Sequence, residues 1–277
     1  MIELTNEPLY KHTTVRLGGI ARSYRIPESL EELRTLVKEE HPKYYIGGGS
    51  NLLIADREFD LVVDLHRFNN ELTHLGKGRF RAGASVRLQE LINGINQAGY
   101  GGIEYLYSVP GLVGGAIVMN AGRGKNYHRT ISDYIVSVDV LRGGKTVTLT
   151  RSECAFSHRS SCFKNSEDIV LGCLFDFPGM TQEETASLKK ERLELCKKKQ
   201  DTSRPNFGSV FCEKNDRIMR YVQKHETGGK VHFSKKTPNW IINDGGSFKE
   251  AVGAIKKVEL MHRLLFRKCV REVVVWE

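Results

Sequence analysis

Apolar residues recur along the chain with two periods. Short apolar or alternating runs predict strands at Tyr44-Tyr45-Ile46, at Leu61 to Leu65, at Phe80 to Ala84 and at Ile169 to Phe175, with another short strand ending at Pro27. From Val136 the alternation places Val136, Val138 and Val140 inward and Ser137 and Asp139 outward. Lys145 to Leu149 is its expected hairpin partner across Arg142-Gly143-Gly144. Helical spacing appears at Leu30, Leu33 and Val37, behind a capping box at Ser29-Leu30-Glu31-Glu32, and fades at His41-Pro42. It returns at Val86, Leu88, Leu91, Ile92 and Ile95, ending around Gly99 to Gly102. Thr181 to Lys199 is a charged helix with Leu188 and Leu195 turned toward the protein. The tail follows as a strand at Trp240 to Asn243, a helix at Phe248 to Leu265 and a strand at Val270 to Trp276. Strands and helices so interspersed predict an α+β chain, with Pro178-Gly179 as the best candidate domain boundary.

A length of 277 residues, 40% apolar and 27% charged, suits one large or two ordinary globular domains. No apolar run approaches the ~20 residues of a membrane span. The start, Met1 to Glu7, lacks the basic and apolar regions of a signal peptide, so the expected location is the cytoplasm. Cys154, Cys162, Cys173, Cys196, Cys212 and Cys269 form no C-x-x-C pair, which argues against a zinc site and against a disulfide framework. No metal ligand set is expected. The net charge is +9. Between Leu188 and Lys236 fourteen Lys and Arg stand against six Asp and Glu. Without a helix-turn-helix, RNP or zinc-finger pattern, this excess points to a small anionic ligand or a solvated helix face, not to nucleic acid.

Chemistry concentrates in two glycine-rich stretches. Gly47-Gly48-Gly49-Ser50-Asn51-Leu52 follows the Tyr44 strand and strips the chain of side chains where the strand ends, so another molecule can approach the backbone closely. Ser108 to Gly122 contains Pro110-Gly111-Leu112-Val113-Gly114-Gly115-Ala116 and Asn120-Ala121-Gly122, a density of small residues that lets backbones press together or against a flat ligand. Neither is a standard nucleotide loop. Gly143-Gly144-Lys145-Thr146 has Asp139 where a P-loop needs its first glycine, and Leu52 stands where the dinucleotide fingerprint needs its third.

Together the two stretches resemble the FAD-binding fold of the vanillyl-alcohol-oxidase superfamily and, more narrowly, the UDP-N-acetylenolpyruvoylglucosamine reductase (MurB) family. The resemblance runs from about Tyr10 to Trp276 and is strongest up to Pro178. It implies a two-lobed FAD-binding domain over 1–178, with lobes of about 1–66 and 67–178, and a smaller α+β substrate domain over 179–277. FAD would be held by Gly47, Gly48, Gly49, Ser50, Asn51 and Leu52, by Pro110, Gly111, Gly114 and Gly115, and by Asn120, Ala121, Gly122 and Arg159. His12-Thr13-Thr14 with Leu17-Gly18-Gly19 resembles the family's N-terminal threonine and paired-glycine stretch.

Phe156 to Phe163 matches a Tyr-Arg-x-Ser-x-Phe signature, with His158 at the tyrosine, and implies Arg159 as the catalytic arginine. Lys199-Gln200, Pro205 and Gly208-Ser209-Val210-Phe211 imply Ser209 as proton donor, and Arg271-Glu272-Val273 implies Glu272 as the catalytic glutamate. The implied activity is NADPH-dependent reduction of an enolpyruvyl sugar nucleotide through FAD, with Lys199, Lys214 and Arg217 as substrate-binding candidates. An arginine fork suits a carboxylate that gains charge in the transition state.

The match breaks in the substrate-binding part. Cys212-Glu213-Lys214 stands where the family has Lys-Asn-Pro, Asp201 replaces the proline after Gln200, and Thr237-Pro238-Asn239-Trp240 lacks the family's histidine. Glu213 would face a diphosphate, and like unit charges about 5 Å apart repel by about 3 kcal/mol at an effective dielectric near ~20. Two further readings follow: a MurB-like paralogue acting on another enolpyruvyl or anionic substrate, and a non-catalytic flavin-binding protein.

Overall fold

A computed structural model describes residues 1–40, 44–123, 129–226 and 228–277. The architecture is α+β. Six α-helices are described: α1 (Leu30–Glu40), α2 (Leu88–Gln97), α3 (Val113–Val118), α4 (Gln182–Lys199), α5 (Asp216–Lys224) and α6 (Phe248–Leu264). Contacts divide the chain into two compact units. One comprises Met1–Leu4, Tyr24–Gly48 and Leu61–Glu194; the other comprises Thr5–Ser23, Gly49–Asp60 and Leu195–Glu277.

The first unit is built on a five-stranded antiparallel sheet in the order Lys145–Thr150, Ile135–Arg142, Ile169–Asp176, Arg79–Gly83, Leu72–Gly76. The stripe of α2 packs as its spacing predicts: Leu88, Leu91, Ile92 and Ile95 are fully buried in one cluster with Phe80, Val138, Val140 and Phe175. Each such side chain contributes roughly 1.5–3 kcal/mol by leaving water. Ser29 Oγ accepts the Glu32 amide at 3.2 Å, but the Glu32 carboxylate reaches back to the Glu28 amide at 2.7 Å. His41-Pro42 lies outside the described residues. Leu188 and Leu195 of α4 are half-buried, and Thr185 and Cys196 beside them are buried.

Val136 corrects the alternation read from the sequence. It is 39% exposed, because a bulge between Ile135 and Ser137 in the pairing with Ile169–Asp176 shifts the pleat, and Ile135 takes the buried position.

The second unit has a core of Phe207, Val210, Phe211, Met219, Val222, Ile241, Ile255 and Val258. Its three-stranded sheet runs Asn206–Ser209, Trp240–Asn243, Val231–Phe233. Helix α5 escaped the sequence reading, although Asn215 caps it by accepting the Arg217 and Ile218 amides, and Ile218, Met219 and Val222 form its buried face. His262, fully buried on α6, accepts the Asn215 amide at Nε2 (2.9 Å) and offers Nδ1 to the Val258 carbonyl (2.9 Å), which fixes one neutral tautomer.

The C-terminal strand expected over Val270 to Trp276 is two strands. Val270–Arg271 pairs antiparallel with Phe211–Glu213, and Val274–Trp276 pairs parallel with Leu52–Ile54. The break falls at Glu272-Val273, whose amides both turn to the Val210 carbonyl, at 2.8 and 3.3 Å.

Among the described residues no helix is long and apolar enough to cross a membrane. Nor does any group of three or more His, Cys, Asp or Glu there have the placement to hold a metal ion. None of the six cysteines forms a disulfide, and burial pushes the Cys154 thiol up to about 12 and Cys269 to about 11.

One charge cluster in this unit gives a pH-dependent expectation. His232 Nδ1 lies 3.1 Å from the Phe233 carbonyl and Nε2 lies 3.1 Å from Asp244, which Arg204 also engages at 2.7 Å. Burial pulls the imidazole pKa down, but the Phe233 carbonyl, Asp244 and then Glu226 outweigh it, so the net shift is upward from 6.5. A raised folded-state pKa stabilises in full below the unfolded value and loses that contribution as pH rises through the folded value. His232→Gln should therefore lower the urea midpoint more at about pH 5.5 than at about pH 8. Equal losses at the two pH values would refute the assignment.

Candidate active site

In the first unit the strand Tyr44–Ile46, parallel to Val62–Asp64, delivers the chain to Gly47-Gly48. A Cβ on Gly48 would stand 3.2 Å from Gly111 Cα, and one on Gly47 would stand 3.7 Å from Leu112 Cδ1. The two glycine-rich stretches thus meet backbone to backbone within this unit. On α3, Gly114 packs against Ala84, to whose carbonyl its amide donates at 2.9 Å, whereas Gly115 is exposed with nothing within 4 Å of its Cβ position. Pro110 is exposed. At Gly48, Gly111 and Gly115 the chain itself carries no side chain to cover its backbone.

The Asn120 to Gly122 turn leans on the loop that carries Arg159. Asn120 is buried with φ +41°; its Nδ2 donates to the Ser157 carbonyl at 2.8 Å, and its Oδ1 accepts the Ser132 amide at 3.4 Å. Ser157 and Ser160 exchange amide–carbonyl bonds at 3.0 and 3.2 Å and close a tight turn. Within that turn Arg159 holds φ +55° and donates from Nη2 to the Gly122 carbonyl at 2.8 Å. Non-glycine residues at such angles are strained and persist where the surroundings over-determine them. Ser161 Oγ adds a 2.7 Å bond to the Val118 carbonyl. Arg159, Asn120 and Gly122 are therefore brought together, with the Asn120 amide committed inside the fold.

The second unit gathers the other candidates. Ser209 ends the strand Asn206–Ser209, opposite Trp240, with Gly208 before it at φ +73°. Asn239, buried, grips the next turn: its Oδ1 accepts the Phe211 amide at 3.1 Å and its Nδ2 donates to the Phe211 carbonyl at 2.9 Å. The Val210 carbonyl takes the Glu272 amide, so Ser209 and Glu272 flank one backbone bond. Asn51 secures Glu272 from the other side. Its Nδ2 donates to the Glu272 carbonyl at 3.1 Å, and its own carbonyl accepts the Val274 amide at 3.0 Å. Leu52 opens the strand that pairs with Val274. Before them Gly49 sits at φ +59°, with a Cβ position only 1.8 Å from the His12 carbonyl oxygen. The Thr14 amide donates to the Gly49 carbonyl at 3.2 Å, and Thr14 Oγ1 donates to the Asn206 carbonyl at 2.6 Å. The His12-Thr13-Thr14 stretch thus ties the glycine turn to the Ser209 strand.

Ser209 lines a cleft of ≈ 290 Å³ together with Lys199, Gln200, Lys214, Asp216 and Trp240. Asp216 pairs with Lys214 at 3.2 Å. Two lysines against one carboxylate leave the cleft suited to an anionic group. Arg217 is exposed on α5 and is not part of this lining. Glu213 bonds to Lys268 at 2.8 Å, which raises the lysine's pKa and offsets the charge that the sequence sets toward an anion. Thr237-Pro238-Asn239-Trp240 forms one wall of the cleft. Asn239 and Trp240 were visible in the sequence only as a departure from a motif; their work as clamp and wall needed the register with Ser209.

Known proteins bear on this arrangement. The FAD_binding_4 family, an FAD binding domain, matches residues 21–150. The UDP-N-acetylenolpyruvoylglucosamine reductase of Pelobacter propionicus is 32% identical over 273 residues, covering 93% of this chain and 90% of that protein. The protein of the same name from Synechococcus sp. (strain WH7803) is 33% identical, covering 90% of this chain and 84% of its own. The crystal structure of UDP-N-acetylenolpyruvylglucosamine reductase (MurB) from Thermus caldophilus superposes with a TM-score of 0.84 at 25% identity, over 100% of both chains. With an FAD-binding domain model matched and relatives of this identity spanning most of the chain, the protein belongs to the UDP-N-acetylenolpyruvoylglucosamine reductase family of FAD-dependent oxidoreductases.

Proposed function

We propose that the chain uses NADPH to reduce the enolpyruvyl ether of UDP-N-acetylglucosamine enolpyruvate to UDP-N-acetylmuramate, a step of peptidoglycan precursor synthesis in the cytoplasm. The observation that carries the reading is Ser209 in the wall of a lysine-bearing cleft, one residue from the carbonyl that binds the Glu272 amide. We assign flavin holding to 1–178 with the Gly49–Leu52 turn, and sugar-nucleotide binding to 179–277. The bare backbone where Gly48 meets Gly111, and the open Gly115, fit a flat, phosphorylated cofactor approaching the main chain. FAD, when bound, supplies the two-electron hydride transfer that NADPH replenishes.

The chain's own residues do the rest. Reduction at the terminal vinyl carbon would move the electron pair of the double bond to the neighbouring carbon and its carboxylate. Arg159 is assigned to that growing charge. Glu272 orients the carboxylate, and Ser209 Oγ–H delivers the proton that completes the new C–H bond. Lys199 and Lys214 would hold the anionic end of the substrate, with Arg217 available from α5. The test is steady-state NADPH oxidation by the FAD-loaded protein. UDP-N-acetylglucosamine enolpyruvate should stimulate it strongly. A flavoprotein that NADPH bleaches but this compound fails to reoxidise would overturn the substrate assignment and favour another enolpyruvyl or anionic acceptor.

A further inference from the structure

Helix α6 ends in a way its own stability does not require. The Arg267 amide donates to the His262 carbonyl at 2.8 Å and the Phe266 amide to the Arg263 carbonyl at 3.2 Å, the paired bonds of a Schellman cap. The residue in the left-handed position of that cap is usually glycine, because a side chain there meets the backbone. Here it is Phe266, at φ +50° and 96% exposed. Its neighbours Leu264 and Leu265 are 62% and 52% exposed, and Leu260, one turn back along α6, is 43% exposed. Backbone strain and an exposed aromatic at one residue are both unfavourable in the isolated fold, so something else accounts for the phenylalanine.

Basic side chains predominate around this apex, with Glu259 and Glu213 each taken up by a salt bridge, to Arg271 at 2.7 Å and to Lys268 at 2.8 Å. No acidic residue occurs between Leu260 and Arg271. Arg263, Arg267 and Lys268 are exposed within it, Lys268 sharing its charge with Glu213. Lys256 and Lys257, one turn before Leu260, are exposed as well. The Asn215 amide, bonded to His262, ties the start of α5 to the last turn of α6, and the outer face of α5 presents Arg217, Arg220, Tyr221 and Lys224.

We propose that the Leu264-Leu265-Phe266 apex is a docking surface for an anionic lipid bilayer, with the aromatic ring inserted at the headgroup boundary and the flanking Arg and Lys among the lipid phosphates. Long basic side chains keep their charge in the headgroups while their stems lie along apolar neighbours. A second copy of this chain fits the patch poorly, since a self-complementary contact would set Arg263 and Arg267 against their own counterparts. The inference is independent of the reaction assigned above, because none of these apex residues lines the cleft.

The test is cosedimentation of the full chain with large vesicles, in low salt. Vesicles of phosphatidylglycerol mixed with phosphatidylcholine should pellet the protein, pure phosphatidylcholine vesicles should not, and added salt should release it. Phe266→Ala and the double variant Arg263→Gln/Arg267→Gln should each reduce the bound fraction roughly tenfold. Phe266→Gly separates docking from folding: glycine suits the cap, so the variant should unfold at the same temperature or higher while losing vesicle binding. A chain that stays in solution with the anionic vesicles overturns the proposal. So does Phe266→Ala binding them as well as the parent, or a concentration-dependent dimer that Phe266→Ala dissolves.

Discussion

Ser209→Ala is expected to leave reduction of bound flavin by NADPH near the parent rate and to slow its reoxidation by the enolpyruvyl substrate by roughly 10²–10⁴-fold, the range for loss of a positioned general acid. The substitution removes only the Oγ. The backbone at this point is held independently by the pairing with Trp240 and by Asn239 on the following turn, so the cleft should keep its shape. On the proposed mechanism, what disappears is the proton for the carbon next to the carboxylate. Anaerobic stopped-flow measurement of the two half-reactions distinguishes this loss from general damage. Ser209→Cys, which retains an acidic hydrogen at the same place, should recover part of the second half-reaction. Comparable slowing of both half-reactions by Ser209→Ala would refute the proton-donor role.

Gly49→Ala should be among the most damaging single methyl additions at the described glycines. The left-handed angle alone costs a non-glycine residue about 1–2 kcal/mol. The new Cβ would also lie 1.8 Å from the His12 carbonyl oxygen, where backbone must move. Together these predict a loss of roughly 3–5 kcal/mol, at the exceptional end for point substitutions. By size scaling that lowers the unfolding temperature by about ten degrees. The damage would also reach function, because Asn51, two residues on, clamps the Glu272 carbonyl. Gly48→Ala gives the contrast, since its Cβ would approach Gly111 Cα at 3.2 Å without the positive φ. Scanning calorimetry should rank Gly49→Ala well below Gly48→Ala; a shift under about two degrees for the former would sink the argument.

Periodicity made the first unit largely legible. The α2 stripe, the Arg142-Gly143-Gly144 hairpin and the buried Ile169 run each pack where their apolar spacing puts them. Val136 shows the limit, since a bulge adds a residue to one strand without any mark in the hydrophobic pattern. The second unit was harder. Its strands at Asn206–Ser209, Phe211–Glu213 and Val231–Phe233 are three or four residues long, too short to display a period. Motif resemblance singles out Ser209 and Glu272, but not the reason they are neighbours. That reason is the Val210 carbonyl, which accepts the Glu272 amide, and a backbone group leaves no residue-type signal. The charge of Glu213 was read from the sequence without its partner, because Lys268 is distant in sequence and comes near only through the pairing of Phe211–Glu213 with Val270–Arg271.

The parallel pairing of Leu52–Ile54 with Val274–Trp276 also bears on how the chain comes off the ribosome. Asn51 and the Glu272 carbonyl it holds are separated by 221 positions. Until Val274–Trp276 is made, Leu52–Ile54 is therefore an apolar strand with an open edge, and the turn at Gly49 lacks the segment that braces it. Closing a contact of this span is slow, and exposed strand edges are what nascent chains aggregate through. The serine and glutamate of the candidate site become neighbours through the separate pairing of Phe211–Glu213 with Val270–Arg271, which also waits for the 270s to be made. A nascent chain should thus acquire a competent site abruptly, when Val274–Trp276 emerges, and not by gradual improvement.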